Sequence, residues 1–174
     1  MSSVKIIDFY DNKLPYFEFS NYYISDVVID RITYKSVEHY YQSRKFTEQW
    51  YVDSILAQST PNKAKILASQ RIAGGYNWRI ELNHIIQKSL DANVKIVPNW
   101  EEIKDNVMWV GLYHKFNNNT ALKTMLTNTG DAILRESSPR DSYWGIGPDQ
   151  KGTNKLGLLL MILRKHFVEV GNKS

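Results

Sequence analysis

The sequence predicts an α+β fold, a single mainly helical domain with a small N-terminal β-sheet, and three observations lead there. Strand-like apolar stretches cluster in the first third of the chain, with one more short run near its end. Helical spacing of apolar residues, punctuated by capping residues, fills most of the remainder. Finally, 174 residues of which 43% are hydrophobic suit one compact core, so residues 1–174 are read as one domain.

Taken in order, Val4–Tyr10 is apolar enough for a strand, and Tyr16–Ile24 and Val27–Tyr34 read as short β segments separated by Asp and Ser turn residues. Ser36 is placed to cap a helix in which Val37, Tyr40, Tyr41 and Arg44 recur at helical spacing, with Glu38 in the first turn where the macrodipole favours an anion. That helix is predicted from Val37 to about Tyr51. Helices follow around Val52–Gln58, Asn62–Gln70 and Trp78–Leu90, each bounded by Pro, Gly or hydroxyl residues. Asn99 caps another, from Trp100 to about Phe116, and a short helix spans Leu122–Leu126. Ala132–Glu136 reads as a strand, residues 137–153 as a long irregular segment, and Asn154 as the cap of a strongly apolar last helix through Leu156, Leu159, Leu160 and Leu163.

Composition excludes several chemistries. With no cysteine there is no disulfide framework, thiolate nucleophile or Cys-based zinc site. His39, His84, His114 and His166 lack metal-ligand spacing, so neither metal nor cofactor is expected. Met1–Ile6 holds no signal-type apolar region, and the longest apolar run, Leu156–Leu163, is far below the roughly 20 residues that span a bilayer; the expectation is a cytoplasmic protein without membrane association. The net charge of +4 is scattered and does not mark a nucleic-acid surface. Five Trp and eleven Tyr offer rings that stack on bases or pack a core. P-loop, dinucleotide and nucleophile-elbow fingerprints are missing.

Two stretches remain for chemistry. On one long helix Glu38, Gln42 and Lys45 fall at i, i+4 and i+7, a polar stripe distinct from the apolar one, with Glu38 and Lys45 roughly 10 Å apart along the axis. Such a stripe either lines a cleft or is an ordinary solvated face. Asp141-Ser142-Tyr143-Trp144-Gly145-Ile146-Gly147 is either a binding loop, its glycines admitting a ligand to the backbone, or a turn in which Trp144 plugs the core. Glu136 and Asp141 are carboxylates of the kind glycosidic cleavage uses in pairs.

Read in order, Phe19-Ser20-Asn21-Tyr22, Ser36 to Phe46, Asn99-Trp100, Val107-Met108, Lys115-Phe116, Thr129 to Ala132, Glu136, Asp141 to Gly145 and Asn154 to Met161 resemble the blocks of the NADAR (YbiA-like) family in that family's order. The resemblance spans nearly the whole chain. It implies a metal-independent N-glycosidase acting on a nucleotide-type substrate. Two substrate classes go with the family: ADP-ribose on the amino group of guanine in nucleic acid, and ribosylamino-pyrimidine phosphates of riboflavin biosynthesis. In both, an anomeric carbon is bonded to an exocyclic amine, which ring-opens to an imine that a protein amine can attack. Lys45 is the candidate amine, with Glu38 or Asp141 as proton donor and acceptor. Direct hydrolysis through an oxocarbenium-like state is the competing route, and there Lys45 only binds substrate.

The resemblance also implies that Trp100, Tyr143 and Trp144 wall the pocket or stack on the base, and that Gly145 gives backbone access. Gln42 and Arg44 are expected to touch substrate, and Glu136 to hold a ribose hydroxyl or organise its loop. Asn154 either presents helix N-terminal amides to a phosphate or merely caps its helix. Ala73–Pro98 is longer than the family's usual connection, which makes it either an enlarged rim for nucleic acid or a surface insertion. The alternative function is a non-catalytic module that binds ADP-ribose or NAD.

Overall fold

The computed structural model describes residues 4–72, 74 and 77–172. The fold is α+β and mainly helical, as the sequence predicts. The chain forms two compact units, Met1–Tyr23 with Phe116–Ser174, and Ile24–Lys115.

In the first unit, strand β1 (Ile6–Phe9) pairs in parallel with β4 (Ile133–Glu136), Ile6 opposite Ile133 and Phe9 opposite Glu136. Alternation buries Ile7, Phe9, Leu134 and Glu136 on one side, while the half-buried Arg135 makes a two-pronged ion pair with Asp8 at 2.7 and 2.9 Å. Helix α7 (Lys155–Gly171) packs on β4 so closely that a β-carbon on Gly157 would sit 2.2 Å from the Leu134 carbonyl oxygen. Its Leu156, Leu160, Leu163 and Phe167 form the buried stripe. Arg164 fastens it further, donating to the Thr129 hydroxyl at 2.8 Å and the Ala132 carbonyl at 2.9 Å. Helix α6 (Thr120–Thr127) is capped by Asn119, whose Oδ1 accepts from the Leu122 amide.

Tyr16–Ile24 is not a strand. Tyr16 takes a left-handed backbone (φ 65°), Phe17–Phe19 makes one 3-10 turn, and the Ser20 hydroxyl accepts from the Tyr22 amide. Pro15 withholds a donor, and local hydroxyl-to-backbone bonds then outcompete a ladder.

In the second unit, the predicted β segment Val27–Tyr34 is a hairpin, β2 (Val27–Ile29) against β3 (Ile32–Tyr34). Asp30 and Arg31 turn the corner with φ of 50° and 67°, the type I′ arrangement that suits strand twist. The predicted helix Val37–Tyr51 is two helices, α1 (Val37–Ser43) and α2 (Gln49–Leu56). The break follows from packing: Phe46 is drawn into a buried cluster with Tyr51, Ile55, Leu67, Leu82 and Ile86, its ring edge-on to Tyr51 at 4.8 Å. Helix α3 (Pro61–Ala68) starts at a Thr60 cap with Pro61 in its first turn. Helix α4 (Asn77–Asp91) covers most of the long connection noted above, and its buried Leu82 and Ile86 anchor it in that core. Ala73, Gly75 and Tyr76 lie outside the described residues. Helix α5 (Trp100–Asn117) completes the unit, the Asn99 carbonyl accepting its first bond.

Candidate active site

Helix α1 is buried on every side: Val37, Glu38, His39, Tyr40, Tyr41, Gln42 and Ser43 are all inside, so the polar stripe is no solvated face. A seven-residue helix so placed needs its ends satisfied. Ser36 caps it through the His39 amide at 3.3 Å, and the same hydroxyl meets His39 Nδ1 at 2.8 Å. His39 Nε2 lies 3.1 Å from the Gln58 carbonyl oxygen, which can only accept, so Nε2 carries a proton. Burial, opposed by that carbonyl bond and assisted by Lys35, lowers the His39 pKa. Helix α5 reaches α1 at Gly111, where a β-carbon would come within 2.9 Å of Val37 Cγ1 and 3.0 Å of Tyr40 Cδ1.

On this framework Glu38 (2% exposed) accepts a 2.7 Å hydrogen bond from Gln42 Nε2 (Gln42 3% exposed). Gln42 Oε1 is buried with no hydrogen-bond partner among the described residues. Because α1 ends early, Lys45 is not on the stripe with them but in the turn beyond, fixed by a 2.9 Å bond from the Val97 amide to its carbonyl. The Lys45 ammonium lies 5.6 Å from the ring centres of both Tyr41 and Trp100, which meet edge-on at 4.9 Å. Burial lowers the Lys45 pKa most; Glu38 raises it, Lys65 lowers it, Glu101 raises it and Lys104 lowers it.

Trp100, 6% exposed, is a wall and not an open stacking platform. Arg44 points to solvent at the end of α1, its charge acting on Tyr34 and Tyr40 instead. The cations that depress Lys45 are Lys65 and Lys104, which the sequence reading missed. Lys104 sits one turn beyond Trp100 on α5 and pairs with Glu101, a spacing that would have found it; Lys65 comes from α3 and leaves no local signal.

The remaining candidates are in the first unit, where they organise backbone. Asp141 Oδ1 accepts from the amides of Tyr143 (3.0 Å) and Trp144 (2.8 Å), folding the loop into an Asx turn. The close neighbour that Gly145 admits is Glu136: a β-carbon there would lie 1.9 Å from Glu136 Oε2 and 2.7 Å from its carbonyl oxygen. Glu136 is 7% exposed. Tyr143 and Trp144 are half-buried, rings perpendicular at 5.1 Å. Asn154 does not cap α7 with its side chain. It takes a left-handed backbone (φ 52°), accepts from the Glu136 amide at 2.9 Å and donates to the Leu134 carbonyl at 2.8 Å, acting as a rung beside β4. The first amides of α7, on Lys155 and Leu156, donate to the carbonyls of Tyr143 and Trp144, both at 3.0 Å, so those two are occupied and do not form a phosphate cradle.

Among the described residues no group of three or more His, Asp or Glu side chains is placed to hold a metal ion. No helix of the described residues is long and apolar enough to cross a membrane.

Comparison with known proteins agrees across the full length. The NADAR domain family matches residues 8–168. An N-glycosidase YbiA from Shigella flexneri is 32% identical over 93% of this chain and 88% of its own. A chloroplastic riboflavin biosynthesis protein, PYRR, from Zea mays is 32% identical over 94% of this chain but only 25% of its own. The NMR structure of the Escherichia coli protein YbiA superposes with a TM-score of 0.79 at 30% identity, covering all of this chain and 91% of that one.

Proposed function

The chain belongs to the NADAR domain family and is an N-glycosidase, and we propose that it hydrolyses the bond between a ribose anomeric carbon and the exocyclic amine of an electron-poor ring in a nucleotide-type substrate. The observation that carries this reading is Lys45: an amine whose burial lowers its pKa, lying over the contacting Tyr41–Trp100 ring pair and within the field of the buried Glu38.

The chemistry follows from that amine. An exocyclic glycosylamine opens to an imine at C1. Neutral Lys45 Nζ adds to C1, and the bond from C1 to the ring amine breaks as that amine leaves with a proton from Glu38. Water then adds to the lysine imine, gives a proton back to Glu38, and expels the sugar as its aldehyde, which recloses. Glycosylamine and water become amine and free sugar, and the enzyme is restored. Gln42 holds Glu38 in place, and its buried Oε1 is the acceptor that a substrate N–H or O–H would satisfy. Asp141 and Gly145 shape a loop, and Glu136 sits against that loop.

The test is chromatography of the products after mixing the protein with an oligonucleotide carrying ADP-ribosylated guanine and, separately, with a ribosylamino-pyrimidine phosphate. Release of free ADP-ribose from the first or of ribose phosphate from the second, by wild type and not by Lys45→Ala, is the expected result; release from neither would reject the reading.

A further inference from the structure

The amide of Gln42 is only half used. Its Nε2 donates to Glu38 Oε1 at 2.7 Å, while its Oε1 is buried with no hydrogen-bond partner among the described residues. The orientation is dictated by chemistry: a carboxylate accepts, so the donor end of the amide turns to Glu38 and the acceptor end is left over. Buried acceptors are nearly always paired, because an unpaired one forfeits its bonds to water and gains nothing in return. A loose side chain does not explain this one. Helix α1 is buried along its whole length, capped by Ser36 and approached by α5 at Gly111. The orphan oxygen is therefore fixed in place, and its partner is a group that arrives during the reaction.

Geometry narrows what that group is. The nitrogen and oxygen of one amide are about 2.2 Å apart, which puts Gln42 Oε1 within about 5 Å of Glu38 Oε1. Two acceptors at that separation suit a single water, whose two O–H groups each bond at about 2.8 Å. Because the oxygen is shielded from solvent, a ring or a phosphate is excluded and a small donor is left. The first half of the reaction supplies the room, since Glu38 protonates the ring amine and the departure of that amine opens a position beside Glu38.

We propose that Gln42 is the positioning residue for the hydrolytic water, held between its Oε1 and the Glu38 carboxylate and aimed at C1 of the lysine imine. This rests on the lysine-imine reading given above. The water oxygen bonds to C1 as the double bond from C1 to nitrogen in the protonated imine becomes single, and one water proton passes to Glu38. The other O–H stays on Gln42 Oε1. The carbinolamine then collapses: the bond from C1 to the Lys45 nitrogen breaks as the hydroxyl proton moves, by way of Glu38, to that nitrogen. Gln42 thus acts on the second half-reaction through Oε1, and on the first only through its hold on Glu38.

Single-turnover reactions quenched into borohydride separate the two halves, released ring amine reporting formation of the imine and trapped adduct reporting its decay. Of the two substrates named above, the one that wild type cleaves is used. Gln42→Met keeps the length and removes the amide oxygen; the expected result is imine decay slowed at least tenfold more than imine formation. Gln42→Asn keeps the amide but draws it back by one carbon, and gives the same imbalance to a smaller degree where circular dichroism shows that Gln42→Met does not fold. Formation and decay slowed by equal factors would reduce Gln42 to a holder of Glu38 and overturn the inference, as would unchanged decay in the folded variant. Product release by wild type with no trappable adduct would overturn the lysine-imine reading itself, and this step with it.

Discussion

Two regions of this molecule are built from the same kinds of side chain and put them to opposite uses. Around β4 and the start of α7, Asp141 and Asn154 turn their polar atoms onto backbone amides and carbonyls, and Gly145 exists so that Glu136 can pack against the chain. Around α1, a fully buried short helix is stabilised at its start by Ser36 and His39, and its later residues, Glu38 and Gln42, lead to an amine that lies over two aromatic rings. A carboxylate or amide in a glycine-bearing loop is therefore not a catalytic group by its composition alone. What separates the regions is whether the hydrogen-bonding capacity is consumed by the protein's own backbone.

That contrast can be broken or sharpened by substitution, beginning where the effect is largest. Lys45→Ala lowers kcat by about a thousandfold or more while the melting temperature barely moves, since a half-buried lysine in a turn carries the chemistry and little of the fold. Lys45→Arg is equally inactive, because a guanidinium never becomes the neutral nucleophile. Steady-state kinetics beside a thermal melt reads both. Asn154→Ala shows the reverse: it strands the Glu136 amide and Leu134 carbonyl and forces alanine to φ 52°, costing about 2–4 kcal/mol in a urea titration with the rate of the folded fraction kept. Asp141→Asn preserves the accepting oxygen and leaves kcat within about threefold of wild type. A collapse of kcat there would make Asp141 a proton-transfer group and dissolve the comparison.

The smallest effects are in pH dependence. Lys45 is depressed below 10.5, so the neutral amine appears at lower pH than in an ordinary lysine, and the rising limb of the kcat/KM profile has its midpoint below 10.5. Glu38 raises the Lys45 pKa and Lys104 lowers it, so in the residual activity of Glu38→Gln the limb moves down and in Lys104→Met it moves up. Opposite movements are the signature to look for in pH-rate profiles. For His39 the folded pKa lies below its unfolded 6.5, so the unfolded chain binds the extra proton first: the stability that His39 contributes is complete above pH 6.5 and declines as pH falls from there toward the folded value. Urea titrations of wild type and His39→Gln between pH 7.5 and 5 should converge as pH falls.

The start of α1 was legible in sequence because a serine cap and a first-turn glutamate are local signals. Its end was not, because the pull on Phe46 comes from Ile55, Leu67, Leu82 and Ile86, residues of three other helices. Lys45 was picked by family resemblance, whereas the stripe argument placed it on a helix it does not belong to. The role of Asn154 was hidden for a different reason: an asparagine before an apolar run reads as a cap, and only the left-handed backbone turns its amide onto β4. The Asp30-Arg31 turn lies between two short apolar runs that read equally well as one strand.

The central claim is that Lys45 is the nucleophile. Borohydride added during turnover, followed by peptide mass spectrometry, tests it directly. The account predicts a reduced sugar adduct on Lys45 that accumulates only with active substrate and is missing in Lys45→Arg; steady product release with no adduct at Lys45, or an adduct on another lysine, would contradict it.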